Sequence, residues 1–119
     1  MDRLAVTKTV TIAESEAESA AFDMSALVMG VVRMPAEWTA AGVGFKVSDG
    51  EGGTFLPLYD EETSIVQIGT SSVHPVAGRA YGTPPELSGA HWVKLWSQDG
   101  SGSDTNQAAA RTLEIDLKA

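Results

Sequence analysis

The chain has 119 residues, 16 of them acidic and 8 basic, for a formal net charge of -8, and it contains no cysteine. This length suits one domain (residues 1–119) with one core that needs no metal or disulfide to fold, and the missing thiols exclude disulfide scaffolds, thiolate zinc sites and cysteine nucleophiles. The acidic balance argues against nucleic acid and against an anionic membrane surface, no apolar run approaches the ~18 residues of a membrane span, and "MDRLAVTKTV" lacks the apolar stretch of a signal peptide.

Taken in chain order, the elements alternate with a period of two. Residues 1–18 form a partly extended N-terminal segment in which "VTKTVTIA" places Val6, Val10 and Ile12 on one face and Thr7, Thr9 and Thr11 on the other. The stretch 13–21, "AESEAESAA", has helix propensity, but Glu14 and Glu18 are a like-charge i,i+4 pair; it reads as an acidic loop running into a short strand that ends at Met24. "ALVMGVVRM" is nearly all apolar and stops at Pro35, which suits a buried strand. "GVGFKVS" is a half-buried strand closed by Asp49-Gly50, and "TFLPLYD" carries an internal proline that puts it at a sheet edge or bend. "SIVQIGT" turns either Val66 and Ile68 inward or, one register over, Ile65 and Gln67. "TPPELSGA" is a loop with one helical turn opened by its second proline. "HWVKLWS" sets Val93 and Leu95 against Trp92, Lys94 and Trp96, and "RTLEIDLK" turns Leu113, Ile115 and Leu117 inward. About eight short strands separated by Gly, Pro, Ser and Asp clusters predict an all-β, antiparallel, jelly-roll-like sandwich.

Few residue patterns carry chemistry. His74 and His91 have no histidine or glutamate at ligand spacing, and "DGSGSDTN", Asp99 to Asn106, has alternating oxygen ligands but Asp104 where a calcium loop needs glycine. The carboxylates Asp60, Glu61 and Glu62 sit on a polar turn, and neither a nucleophile elbow nor a phosphate-cradling glycine loop is present. The expectation is a non-enzyme without metal or cofactor.

The aromatic residues carry more. Trp92 and Trp96 share one strand face with Lys94. Either that face is the core and Lys94 snorkels out, or the core side is Val93 and Leu95 and the tryptophans point outward. An outward strip of this kind marks a contact surface, which predicts a homo-oligomer or a complex that covers Trp92 or Trp96. Together with Tyr81, the same residues are candidate glycan contacts. Trp38 lies between the proline stop at Pro35 and a run of small residues, and reads as a lid tipped onto the end of the sandwich.

Two blocks, "MPAEWTAAGVGFKVSDGEGGTFLPLYDEE" and "AHWVKLWSQDGSGSDTNQAAARTLEIDLK", together resemble a family of small proteins encoded among the structural genes of tailed bacteriophages, prophages and gene transfer agents. Pro35, Trp38, Tyr59 and Arg111 are among the matching positions, within "MPAxWTAA", "LYD" and "NQAAARTL". The family's "RYLKVRSGT" reads "HWVKLWSQDG" here, with tryptophan in place of arginine, and "ESEAES" has no counterpart in the pattern. The resemblance covers the chain from about residue 19 onward. It implies a virion structural protein made in the bacterial cytoplasm and located on the particle head, as a decoration or head-spike-base component. The implied partners are capsid or other virion proteins and a fibre protein. Alternatives of the same origin are a host-glycan-binding module and a tail or neck component.

Overall fold

A computed structural model of the chain describes residues 5–25, 27–70 and 72–118. The described residues form nine strands: β1 (Ala5–Ile12), β2 (Phe22–Asp23), β3 (Val28–Arg33), β4 (Gly42–Ser48), β5 (Leu56–Pro57), β6 (Gln67–Ile68), β7 (Ala80–Gly82), β8 (Trp92–Gln98) and β9 (Arg111–Lys118). A 3-10 turn, Pro85–Gly89, precedes β8. Pro84 is its N-cap and Pro85, whose missing N–H costs nothing there, opens it. The first four residues of the segment expected to be partly extended lie outside the described residues, as does Ala26 before β3.

All pairings are antiparallel and fall into two sheets. Sheet A has the order β1-β9-β3-β7, and sheet B the order β2-β8-β4-β5, with β6 also paired to β4. The result is the all-β sandwich that the alternation predicted. β1 and β9 are in register over their whole length, with Val10 opposite Leu113 and Val6 opposite Leu117, so their apolar faces coincide.

The core lies between the sheets. Sheet A contributes Val10, Ile12, Val32, Leu113, Ile115 and Leu117, and sheet B contributes Val43, Phe45, Ile68, Val93 and Leu95. Val66 and Ile68 take the inward register, settling the two readings of that strand. The expectation for "ALVMGVVRM" needs correction. It forms β3, but Val32 and Met34 are buried while Val31 is 37% exposed and Arg33 is exposed. Among the described residues the outer side of sheet A, where Thr7, Arg33 and Thr112 are exposed, carries no second layer, so an apolar run there is only half covered.

The acidic segment after β1 links the sheets. Ile12 bridges to Ser19, and one residue earlier Glu18 bridges to Trp96 of β8. Ser19 N–H donates to the Leu95 carbonyl at 2.9 Å and Ser97 N–H to the Ala17 carbonyl at 2.7 Å. The segment therefore runs along the β8 edge and continues into β2, as the loop-into-strand reading expected. The end of "TFLPLYD" expectation is also met: β5 is a two-residue edge strand beside β4, and both of its residues are exposed.

Candidate functional site

Two groups of side chains gather the residues singled out in the sequence. The first is the outer face of β8. Val93 and Leu95 are fully buried in the core, so Trp92, Lys94 and Trp96 project from the other side of sheet B. This settles the alternation in favour of outward tryptophans, yet the expected open strip is not there. Trp96 is only 2% exposed. Its Nε1 donates to Asp104 Oδ1 at 2.7 Å, from the loop that follows β8 and folds back over the ring.

The opposite residue on β4 makes this seat possible. Gly44 pairs with Trp96, and a Cβ at Gly44 would lie 2.9 Å from the ring carbon Cε3. Trp96 is therefore covered by its own chain and has almost no surface left to offer a subunit or a sugar. Trp92 remains half-buried at the other end of the strand, beside Asp23 and Ser48 in the ladder. Tyr81 does not join this face at all. It stands on β7 in sheet A, packs against the core, and accepts a hydrogen bond at its hydroxyl from Val76 N–H at 2.8 Å. The three-aromatic glycan platform of Trp92, Trp96 and Tyr81 is thus not assembled, because topology sends Tyr81 to the other sheet.

Lys94 sits directly opposite Lys46, a pairing of like charges that is unfavourable by itself. Glu18 resolves it: one carboxylate oxygen lies 2.7 Å from Lys46 Nζ and the other 3.6 Å from Lys94 Nζ. Each ammonium also rests over a ring at 4.7 Å, Lys46 over Trp96 and Lys94 over Phe55. Sequence reading missed Glu18 and Phe55. The signal available was a lysine in each of two strands, β4 and β8, whose pairing no sequence pattern discloses.

The second group joins the two motif blocks. Gln107 is completely buried. Its Oε1 accepts from Thr39 N–H at 2.9 Å and from Arg111 Nε at 3.2 Å, while its Nε2 donates to Ser97 Oγ at 2.8 Å and to the Thr39 carbonyl at 3.2 Å. Its backbone is pinned too, with Gln107 N–H bonded to the Glu16 carbonyl and its own carbonyl to Ser15 N–H. Arg111, its side chain 11% exposed, continues the tie to Thr39 Oγ1 at 3.2 Å and to Glu37 at 3.6 Å. Trp38, next in chain to Thr39, packs against the core and donates from Nε1 to the Ala41 carbonyl at 3.0 Å. "EWTAA" and "NQAAAR" are thus the two halves of one polar clasp at the end of the sandwich, with Trp38 as its apolar lid. Pro35 ends β3, and its carbonyl accepts Gly78 N–H at 2.9 Å. Tyr59 is 43% exposed and bridges to Ile65.

The carboxylates are held by their own neighbourhoods. Asp99 sits below the usual carboxylate range because Ser101 N–H, the Ser101 hydroxyl and Ser103 N–H donate to it. Asp116 is lowered first by the Thr7 hydroxyl at 2.8 Å and then by Arg33. Asp60 accepts from Glu62 and Ser64 N–H, closing the turn that carries the acidic triplet. His74 and His91 are both exposed. No helix of the described residues is long and apolar enough to cross a membrane.

No family model and no curated protein matches the chain. Among solved structures, its fold is similar to that of the SPBc2 prophage-derived protein YomS, with a TM-score of 0.58 at 14% identity, over 100% of this chain and 98% of that one.

Proposed function

We propose that this chain is a non-enzymatic structural component of a phage-type particle, attached to the head as a decoration or spike-base protein. The observation that carries the reading is the end-to-end likeness in fold to a prophage-derived protein. It agrees with the family pattern in "MPAEWTAA", "LYD" and "NQAAARTL", and a mechanical purpose for the first and last of these blocks supports it. They form a clasp, and the polar atoms of Gln107 are all used to join chain segments rather than to face a cleft. The perturbed aspartates have structural donors as partners, as expected of turns and strand ladders rather than of acid–base catalysts. A stiff sandwich of this kind acts by geometry: it holds loops and sheet edges in fixed positions against capsid subunits.

The test is quantitative mass spectrometry of gradient-purified particles from the chain's own host. The expected result is co-sedimentation with the major capsid protein at a fixed ratio that survives a high-salt wash. Recovery only in the soluble fraction would overturn the proposal.

A further inference from the structure

The two ends of β4 carry complementary features that sheet pairing leaves unused. At the Ser48 end, Val47, Leu56 and Ala90 line a shallow, mainly apolar groove of about 380 Å³, with Thr54, Asp49 and His91 at its rim. Leu56 is 62% exposed there, on the short edge strand β5. At the Gly42 end stands the loop between β6 and β7. It presents Val73 at 77% exposure and Val76 at 43%.

That loop is held firmly while it displays these side chains. The Thr70 hydroxyl accepts Ser72 N–H at 3.2 Å and Val73 N–H at 3.1 Å, and Thr70 N–H returns to the Val73 carbonyl at 3.0 Å. Gly69 adopts φ +67, and a Cβ there would come within 2.5 Å of the Val73 carbonyl oxygen. Further along, Val76 N–H is fixed by the Tyr81 hydroxyl. Ordering a loop costs conformational entropy, and here the fold recovers little of it by burying Val73. A preorganised apolar tip is instead suited to burial against a partner, where it loses little further freedom.

Charge indicates the partner. From Thr63 to Pro85 the sequence has no aspartate or glutamate, only His74 and Arg79, although the chain as a whole carries -8. The groove end has Asp49 at its rim and Glu51 in the same turn. Tip and groove therefore match in apolar character and oppose in charge.

We propose that the Val73–Val76 tip of one copy docks into the Val47–Leu56–Ala90 groove of a second copy. The two surfaces differ and lie at opposite ends of a seven-residue strand, so the contact is head-to-tail and repeats into a ring or a filament. It is distinct from the Trp92–Trp96 strip expected from sequence, and it does not rest on which particle the chain joins.

Sedimentation velocity on wild type, Val73→Asp and Leu56→Asp tests it, with circular dichroism melts to check folding. Both positions are exposed, so both variants should melt like wild type; Val73→Ser and Leu56→Ser serve as milder versions. Wild type at tens of micromolar should sediment as concentration-dependent multimers, and each aspartate variant alone as a monomer. An equimolar mixture of the two variants retains one intact tip and one intact groove, so it should form a dimer with one of each and nothing larger. A monomeric wild type, a single variant that still assembles, or a mixture that stays monomeric would each overturn the proposal.

Discussion

Gln107 shows how one buried polar residue can organise a loop. All four of its side-chain hydrogen bonds are internal, and two of them reach Thr39 across a sequence separation of 68. Replacing it with leucine keeps most of the volume but takes the side-chain acceptor from Thr39 N–H and Arg111 Nε, while Ser97 Oγ keeps its bond to the Thr105 carbonyl at 2.6 Å. An unsatisfied buried group costs about 1–3 kcal/mol, so Gln107→Leu should destabilise by about 3 kcal/mol, read as a lower urea midpoint with an unchanged slope. Trp96→Ala should cost about 3–5 kcal/mol, because Gly44 and the Asp104 loop cannot close over the missing ring. The aspartates set the acid limb. Asp99 and Asp116 have folded values below 3.8, so the stability they contribute is complete above that value and is lost as pH falls through the lower folded values. The melting temperature should therefore fall below about pH 4, and Asp116→Asn should make that fall shallower. At this scale the sequence was a poor guide. A glutamine before three alanines looks solvated, and only its place in a family pattern singled it out. The alternation of "HWVKLWS" correctly gave the side on which Trp96 projects, but not that residues 99–104 return over it, because that depends on where a loop goes after its strand ends.

At the level of elements, period-two alternation was enough for β1, β4, β8 and β9, since their inward residues meet across one core. It failed for β3, whose valines look alike in sequence although only one face meets the other sheet. Sheet edges raise a separate problem, because unpaired strand backbone invites unintended pairing. β5 answers it with Pro57 and its two-residue length, and β2 is equally short. β1 is longer, with eight residues paired to β9 on one side and, among the described residues, the single Ile12–Ser19 bridge on the other. Its protection is Lys8, half-buried on the core-facing side between Val6 and Val10 and within electrostatic reach of Asp23 on β2. An inward-facing charge on an edge strand makes a second pairing costly. Lys8→Val removes that charge and extends the apolar face, so it should speed aggregation on heating, followed by light scattering, while leaving circular dichroism at room temperature unchanged. Unchanged aggregation would mean that β1 is guarded by something other than its lysine.

The molecule as a whole measures 41 × 29 × 27 Å, and its sheets are tied at one end by the Gln107 clasp and at one corner by the Glu18 segment. Such cross-bracing suits a part that transmits load or holds position. The fold was legible because alternation and turn residues agree along most of the chain. The proposed role rests on the motif blocks and the likeness in fold, since braces, unlike catalytic groups, leave no chemical signature in a sequence. The central claim is that this brace belongs to a particle head. Immunogold electron microscopy on purified particles, with antibody raised against the folded chain, tests it most directly. Gold on the heads is the result expected; gold confined to tails or necks, or intact particles that carry none, would contradict it.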